Sequence, residues 1–146
     1  MSRAEAAVIR GMRQAERHML LVCTVDRVLR EWTDENDQAH VETARIYPGP
    51  GQDGRCKITS YEGYEQSAEV AGARLVSQRL TAHFPTGAAD LNVGDIVTIT
   101  GYRVSDARAK ALRLPRFIGN RYRIAQEGGF RDHATADRVF VDKIAG

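Results

Sequence analysis

Long apolar runs are missing from this chain. No stretch approaches the roughly 20 consecutive apolar residues of a membrane-spanning helix, which argues against a helical membrane protein. The opening Met1-Ser2-Arg3-Ala4-Glu5 carries no apolar signal core, which argues against secretion by that route. Cysteine is scarce. Cys23 and Cys56 are far apart and sit in strand-like sequence, so they read as two buried free thiols of a cytosolic protein rather than a disulfide framework. Glycine is present but not in a P-loop or a dinucleotide-binding pattern, and there is no nucleophile elbow and no zinc-spaced Cys/His set. His18, His40, His83 and His133 are dispersed and read as surface or strand residues. Asp26 and Glu42 are expected to face each other across a hairpin as two solvated carboxylates. These gaps leave no catalytic, cofactor-binding or metal-binding residue to nominate, and the chain is read as a non-enzyme.

What is present is β-structure. At 146 residues with 42% hydrophobic content, the chain suffices for one domain with a real core. Its organising stretch is residues 91–101. A Gly94-Asp95 turn signal leads into Ile96, Val97, Thr98, Ile99 and Thr100, all β-branched. Such side chains are stiff in a helix and pack well on a pleated surface, so this is a central strand. Strands are also expected over residues 20–29, 40–47, 55–59, 73–84 (with a bulge near 77–78) and 117–126, and the chain ends on strand-like sequence from 136 to 144. Polar or Gly/Pro-rich turns fall at 31–39 and 48–54, while 105–115 reads as a loop or one helical turn.

Residues 4–19 read as a helix. Ser2 and Glu5 form a capping box, and Ala4, Ala7, Val8, Met12, Ala15 and Met19 make a thin apolar stripe suited to a neighbouring surface, such as another subunit. The expected architecture is mainly β: a small barrel or sandwich of about seven short strands with an N-terminal α-helix and long loops. Residues 1–19 form a helical arm and residues 20–146 a single β-barrel domain.

Charge is segregated along the chain. Residues 31–72 hold nine carboxylates against three bases, and residues 101–131 hold eight bases against two carboxylates. The two segments suit head-to-tail docking between copies, or a basic surface against a polyanion. Arginine outnumbers lysine 18 to 3, which suits interfaces and phosphates, although a GC-rich genome produces the same bias. Tyr102, Phe117, Tyr122 and Phe130 interleave with the basic run, as stacking platforms do on oligonucleotide-binding barrels.

Several short stretches, in serial order, carry a resemblance. They are Gly54-Arg55-Cys56-Lys57-Ile58, Ala73-Arg74-Leu75 with the run to Phe84-Pro85, Val93-Gly94-Asp95-Ile96-Val97, Gly119-Asn120-Arg121-Tyr122-Arg123-Ile124, and His133-Ala134-Thr135-Ala136-Asp137-Arg138. Together they resemble the small head–tail connector proteins of tailed phages and prophages of actinobacteria, similar in role to head-closure or stopper proteins. The resemblance implies a β-barrel that assembles into a homo-oligomeric ring of six or twelve copies. It implies portal and adaptor proteins above that ring, the tail terminator and tail tube below it, and genomic DNA passing through its channel. It implies location in the virion neck, with the host cytoplasm as the place of assembly, and no membrane partner. It carries no catalytic residues and no cofactor. Gly94 and Gly119 fit turn or bulge positions.

Two surfaces are nominated on this basis. The acidic stretch 61–72, with Tyr61, Glu62, Tyr64, Glu65 and Glu69, is a candidate channel or ring-interface loop. Arg108, Lys110, Arg113 and Arg116 are a candidate basic interface for the acidic segment of a neighbour; residues 110–117 (KALRLPRF) depart from the family pattern in being unusually basic. The alternatives are a tail terminator or adaptor ring of the same junction, and a small oligonucleotide-binding β-barrel. The last predicts tight, salt-steep binding of single strands by the monomer.

Overall fold

The computed structural model describes residues 2–61, 68–70, 73–75, 79–127 and 136–144. It opens with α1 (Arg3–Arg17), capped as the sequence predicts. The Ser2 hydroxyl accepts from the Glu5 backbone N–H and the Glu5 carboxylate accepts from the Ser2 N–H, both at 3.1 Å. Nine described strands follow: β1 (Leu21–Thr33), β2 (Ala39–Tyr47), β3 (Arg55–Tyr61), β4 (Ala68–Val70), β5 (Ala73–Leu75), β6 (Arg79–Phe84), β7 (Ile96–Tyr102), β8 (Arg121–Glu127) and β9 (Asp137–Ile144). Between β7 and β8 lie α2 (Asp106–Ala111) and a 3-10 turn (Leu114–Phe117).

Six antiparallel strands close a barrel in the order β1-β3-β6-β9-β8-β7, with β7 pairing back onto β1. Closure leaves no free sheet edge on the barrel itself. Alternate residues point inward, which is why Leu21, Cys23, Val25, Cys56, Val97, Ile99, Tyr122, Ile124, Val139 and Val141 form the core. The organising strand expected at 96–100 is β7, paired on one side with β1 and on the other with β8. Tyr47 and Phe84 add an edge-to-face aromatic contact with centroids 5.6 Å apart, and the Tyr47 hydroxyl donates to the Arg55 carbonyl at 2.7 Å. Both thiols are fully buried. The hydrogen bond with Cys23, and then burial, push the Cys56 thiol well above its ordinary pKa.

Several expectations are corrected. Residues 73–84 are not one bulged strand: β5 pairs with β4 in a separate hairpin, and only β6 joins the barrel. Phe117 lies in the 3-10 turn, so β8 begins later, at Arg121. Residues 31–33 belong to β1, which shortens the turn to residues 34–38. Gly94 and Gly119 take positive φ (+96° and +87°), as turn positions require. α1 contains no buried residue; Val8, Ile9, Met12 and Ala15 are half-buried, while Ala4 and Ala7 face solvent.

Candidate assembly surfaces

β1 is 13 residues long and does two jobs. Its first half is barrel wall, with Leu21, Cys23 and Val25 buried; from Val28 onward every residue is exposed. Beyond Asp26, β1 leaves β7 and pairs with β2 alone, forming a two-stranded ribbon that projects from the barrel. Register shifts after Val25 and Val28 mark irregularities at its root, where bulges increase local twist.

A bidentate ion pair ties down that root. The Arg27 guanidinium donates to Asp95 from Nε (3.0 Å) and Nη2 (3.1 Å), and Nη2 also donates to the Asp90 carbonyl at 2.7 Å. Asp95, 1% exposed, also accepts from the Asn92 N–H at 2.8 Å. The ion pair and its hydrogen bonds hold the Arg27 pKa above its ordinary value. The turn entering β7 is thereby locked to the base of the ribbon.

The ribbon tip is pre-organised too. The Asp34 carboxylate accepts from the backbone N–H groups of Asn36 (2.8 Å) and Gln38 (2.9 Å) and contacts His40 Nε2 at 2.6 Å. The His40 contact, then the backbone donors, hold Asp34 below the usual carboxylate range. Trp32 stacks on His40 at 5.4 Å, and the Arg30 guanidinium lies 4.2 Å from the centroid of the Trp32 ring. The ribbon also leaves Leu29 57% and Val41 56% exposed.

The expected pairing of Asp26 with Glu42 does not occur. Asp26 accepts from Arg45 Nε at 2.6 Å, and Glu42 lies opposite Arg30. The acidic segment is also divided. Asp53 is taken up within the chain by Arg55 Nη2 (2.8 Å) and Arg103 Nε (3.1 Å), and these hydrogen bonds and charges lower its pKa. Arg103 Nη1 also donates to the Met19 carbonyl at 3.1 Å, and Arg55 Nη1 reaches the Glu16 carbonyl at 3.5 Å. Two guanidiniums at the C-terminal end of α1 favour its dipole and anchor the arm. A cleft of about 410 Å³ beside them is lined by Glu16, Gln52, Asp53, Arg55 and the turn after β6.

The second surface is the corner made by α2 and the 3-10 turn. Ala109 and Leu114 enter the core from this corner. Arg108, Lys110, Arg113 and Arg116 all stay exposed outside, with Leu112 and Ile118 beside them. This settles the placement of residues 110–117: an amphipathic segment after β7, apolar inward and basic outward. Arg116 lies over the Phe117 ring at 4.8 Å, and Arg113 takes a left-handed conformation (φ 58°).

The aromatic residues interleaved with the basic run do not form a stacking platform among the described residues. Tyr122 is core, Phe117 is half-buried against it, and Tyr102 donates to Asp106 at 2.7 Å. Phe130 lies outside the described residues. For the nominated loop, Glu62, Tyr64 and Glu65 also lie outside them; Tyr61 ends β3 and Glu69 is in β4. The hairpin of β1 and β2 was expected from the sequence, but its projection beyond the barrel as an exposed ribbon was not. The exposed Leu29, Trp32 and Val41 flanking an acidic turn were its signal.

Among the described residues, no group of His, Cys, Asp and Glu is arranged to hold a metal ion, and no helix is long and apolar enough to cross a membrane. The fold thus defines a closed β-barrel class with a helical arm, a projecting acidic ribbon and a basic corner. The chain belongs to a family of unknown function (DUF6093), whose model matches residues 11–142. No curated protein and no solved structure matches the chain.

Proposed function

We propose that this chain is a structural subunit of a phage head–tail junction. In this reading it forms a homo-oligomeric ring below the portal and adaptor, closes the DNA channel and provides the platform on which the tail docks. The observation that carries the reading is the separation of unlike surfaces on a closed barrel. An acidic ribbon and a basic corner are both free of the core, and neither is self-complementary, as heterologous ring contacts require. The serial motifs that resemble head–tail connectors supply the choice of assembly. The inward and half-buried aromatics weaken the alternative of a monomeric oligonucleotide-binding module, because stacking needs exposed ring faces.

The test is electron microscopy of lysates from the parent phage with this gene deleted. DNA-packed or leaky heads beside separate finished tails are expected. Overlong or ragged tails would move the subunit to tail termination, and normal particles would overturn the reading.

A further inference from the structure

We propose that the ribbon of β1 and β2 on one copy seats against the α2 and 3-10 corner of a second copy, joining identical chains head to tail. The inference rests on the ring reading above and names the two surfaces that make the contact.

Topology separates these surfaces within one chain. The corner leaves β7 at the end where Tyr102 pairs with Leu21. The ribbon leaves β1 at the other end of the same pairing, beyond Asp26 and Ile96. At about 3.3 Å per residue, the shared stretch and the ribbon together put the ribbon tip roughly 40 Å from the corner. Neither surface can satisfy the other in its own subunit.

Their chemistry matches. The tip and its flanks carry Glu31, Asp34, Glu35, Asp37 and Glu42 against one base, Arg30. The corner carries Arg108, Lys110, Arg113 and Arg116 against one carboxylate, Asp106. None of those four cations forms an ion pair with the described residues. Each surface also has an apolar element: Leu29 and Val41, 57% and 56% exposed, on the ribbon, and Leu112 and Ile118, 46% and 45% exposed, at the corner. Buried apolar anchors within a charged rim provide affinity, while the charges set partner and register.

Backbone strain marks the corner as well. Among the described residues, the non-glycine positions with positive φ are Asp37 at the ribbon tip and Arg113 at the corner. Aspartate in a turn takes left-handed backbone readily, but it is unfavourable for a bulky residue such as arginine, and strain of this kind is concentrated at functional sites. A ribbon already ordered by Asp34 and by the Trp32–His40 stack loses little freedom on docking.

The experiment uses two variants of the full chain. One reverses the ribbon (Glu31→Lys, Glu35→Lys and Glu42→Lys); the other reverses the corner (Lys110→Glu, Arg113→Glu and Arg116→Glu). Self-association is read by native mass spectrometry and light scattering at low salt. The wild-type chain should assemble, and each variant alone should associate at least about tenfold more weakly. An equimolar mixture should recover wild-type assembly with strictly even copy numbers, because each reversed surface meets its complement only on the other variant. Arg113→Gly should raise the unfolding midpoint while weakening assembly, a split that loss of folding does not produce. A wild-type monomer, unimpaired single variants or an unrescued mixture each overturns the inference. So does salt-steep oligonucleotide binding at the corner without self-association. Failure here with a head–tail defect in the deletion leaves the junction reading standing; rescue by mixing with normal deletion particles leaves the interface and removes the junction.

Discussion

Replacing Arg27 by methionine leaves the Asp95 carboxylate, 1% exposed, with the Asn92 backbone N–H as the remaining hydrogen-bond donor to it among the described residues. Removing one partner of a buried ion pair costs about 3–5 kcal/mol, since the stranded charge cannot regain water. Asp95→Ala strands the other partner instead. The Arg27 side chain is 28% exposed and keeps the Asp90 carbonyl at 2.7 Å, so water recovers part of the loss. That variant should cost about 2 kcal/mol. The double variant strands neither charge. It should therefore be more stable than Arg27→Met alone, by about 1–2 kcal/mol, so a second deletion restores stability. With a urea m-value of about 2 kcal/mol/M, the midpoint should fall by roughly 1.5–2.5 M for Arg27→Met and about 1 M for Asp95→Ala, with the double variant between wild type and Arg27→Met. Urea titrations followed by the fluorescence of Trp32 and by circular dichroism read all four proteins. Additive costs, or an Asp95→Ala variant less stable than Arg27→Met, would refute the argument from unequal burial. Because the pair anchors the ribbon root, Arg27→Met should also lose self-association under conditions where it remains folded.

His83 sits between Lys57 and Arg138 on neighbouring strands, and burial, then those two cations, push its pKa down to about 4 from 6.5. The unfolded chain binds a proton at this site in that window and the folded chain does not, so the stabilisation is complete above pH 6.5 and falls as pH drops towards 4. Screening by solvent limits the loss to about 1 kcal/mol; urea midpoints at both ends of the window should show it, and His83→Gln should flatten that part of the profile. Both cysteines should resist a thiol reagent at mild alkaline pH in the native protein and react fully in denaturant; rapid native labelling would contradict the burial of Cys23 and Cys56. Gly54 has φ +80°, and a Cβ there would lie 2.9 Å from the Cys23 carbonyl oxygen. Gly54→Ala should cost about 2–4 kcal/mol from backbone strain and disturbance of the Cys23 N–H bond to the Gly54 carbonyl, measured as a fall in the thermal midpoint; an unchanged midpoint would show that the β1–β3 junction yields freely.

The sequence by itself determined the features whose physics is local. The Ser2 and Glu5 box starts α1 because its two hydrogen bonds span three residues. The β-branched run from Ile96 makes β7 a strand before any partner is known, and the alternation of Tyr122 and Ile124 assigns the inner face of β8. The turn at 48–54 and the burial of the thiols were legible for the same reason. Tertiary structure decided which strand meets which. Alternation through residues 73–84 is the same whether the run forms one strand or two, and only pairing separates β5, on β4, from β6, between β3 and β9. Nor does periodicity reveal where β1 stops being wall and becomes ribbon, because that change is set by the end of β7, some 70 residues away. Charge counts along the chain could not show that Arg55 and Arg103 take Asp53, or that Arg27 takes Asp95. Those pairs depend on barrel closure, which brings distant side chains to hydrogen-bonding distance and decides which charges remain on the surface for a partner.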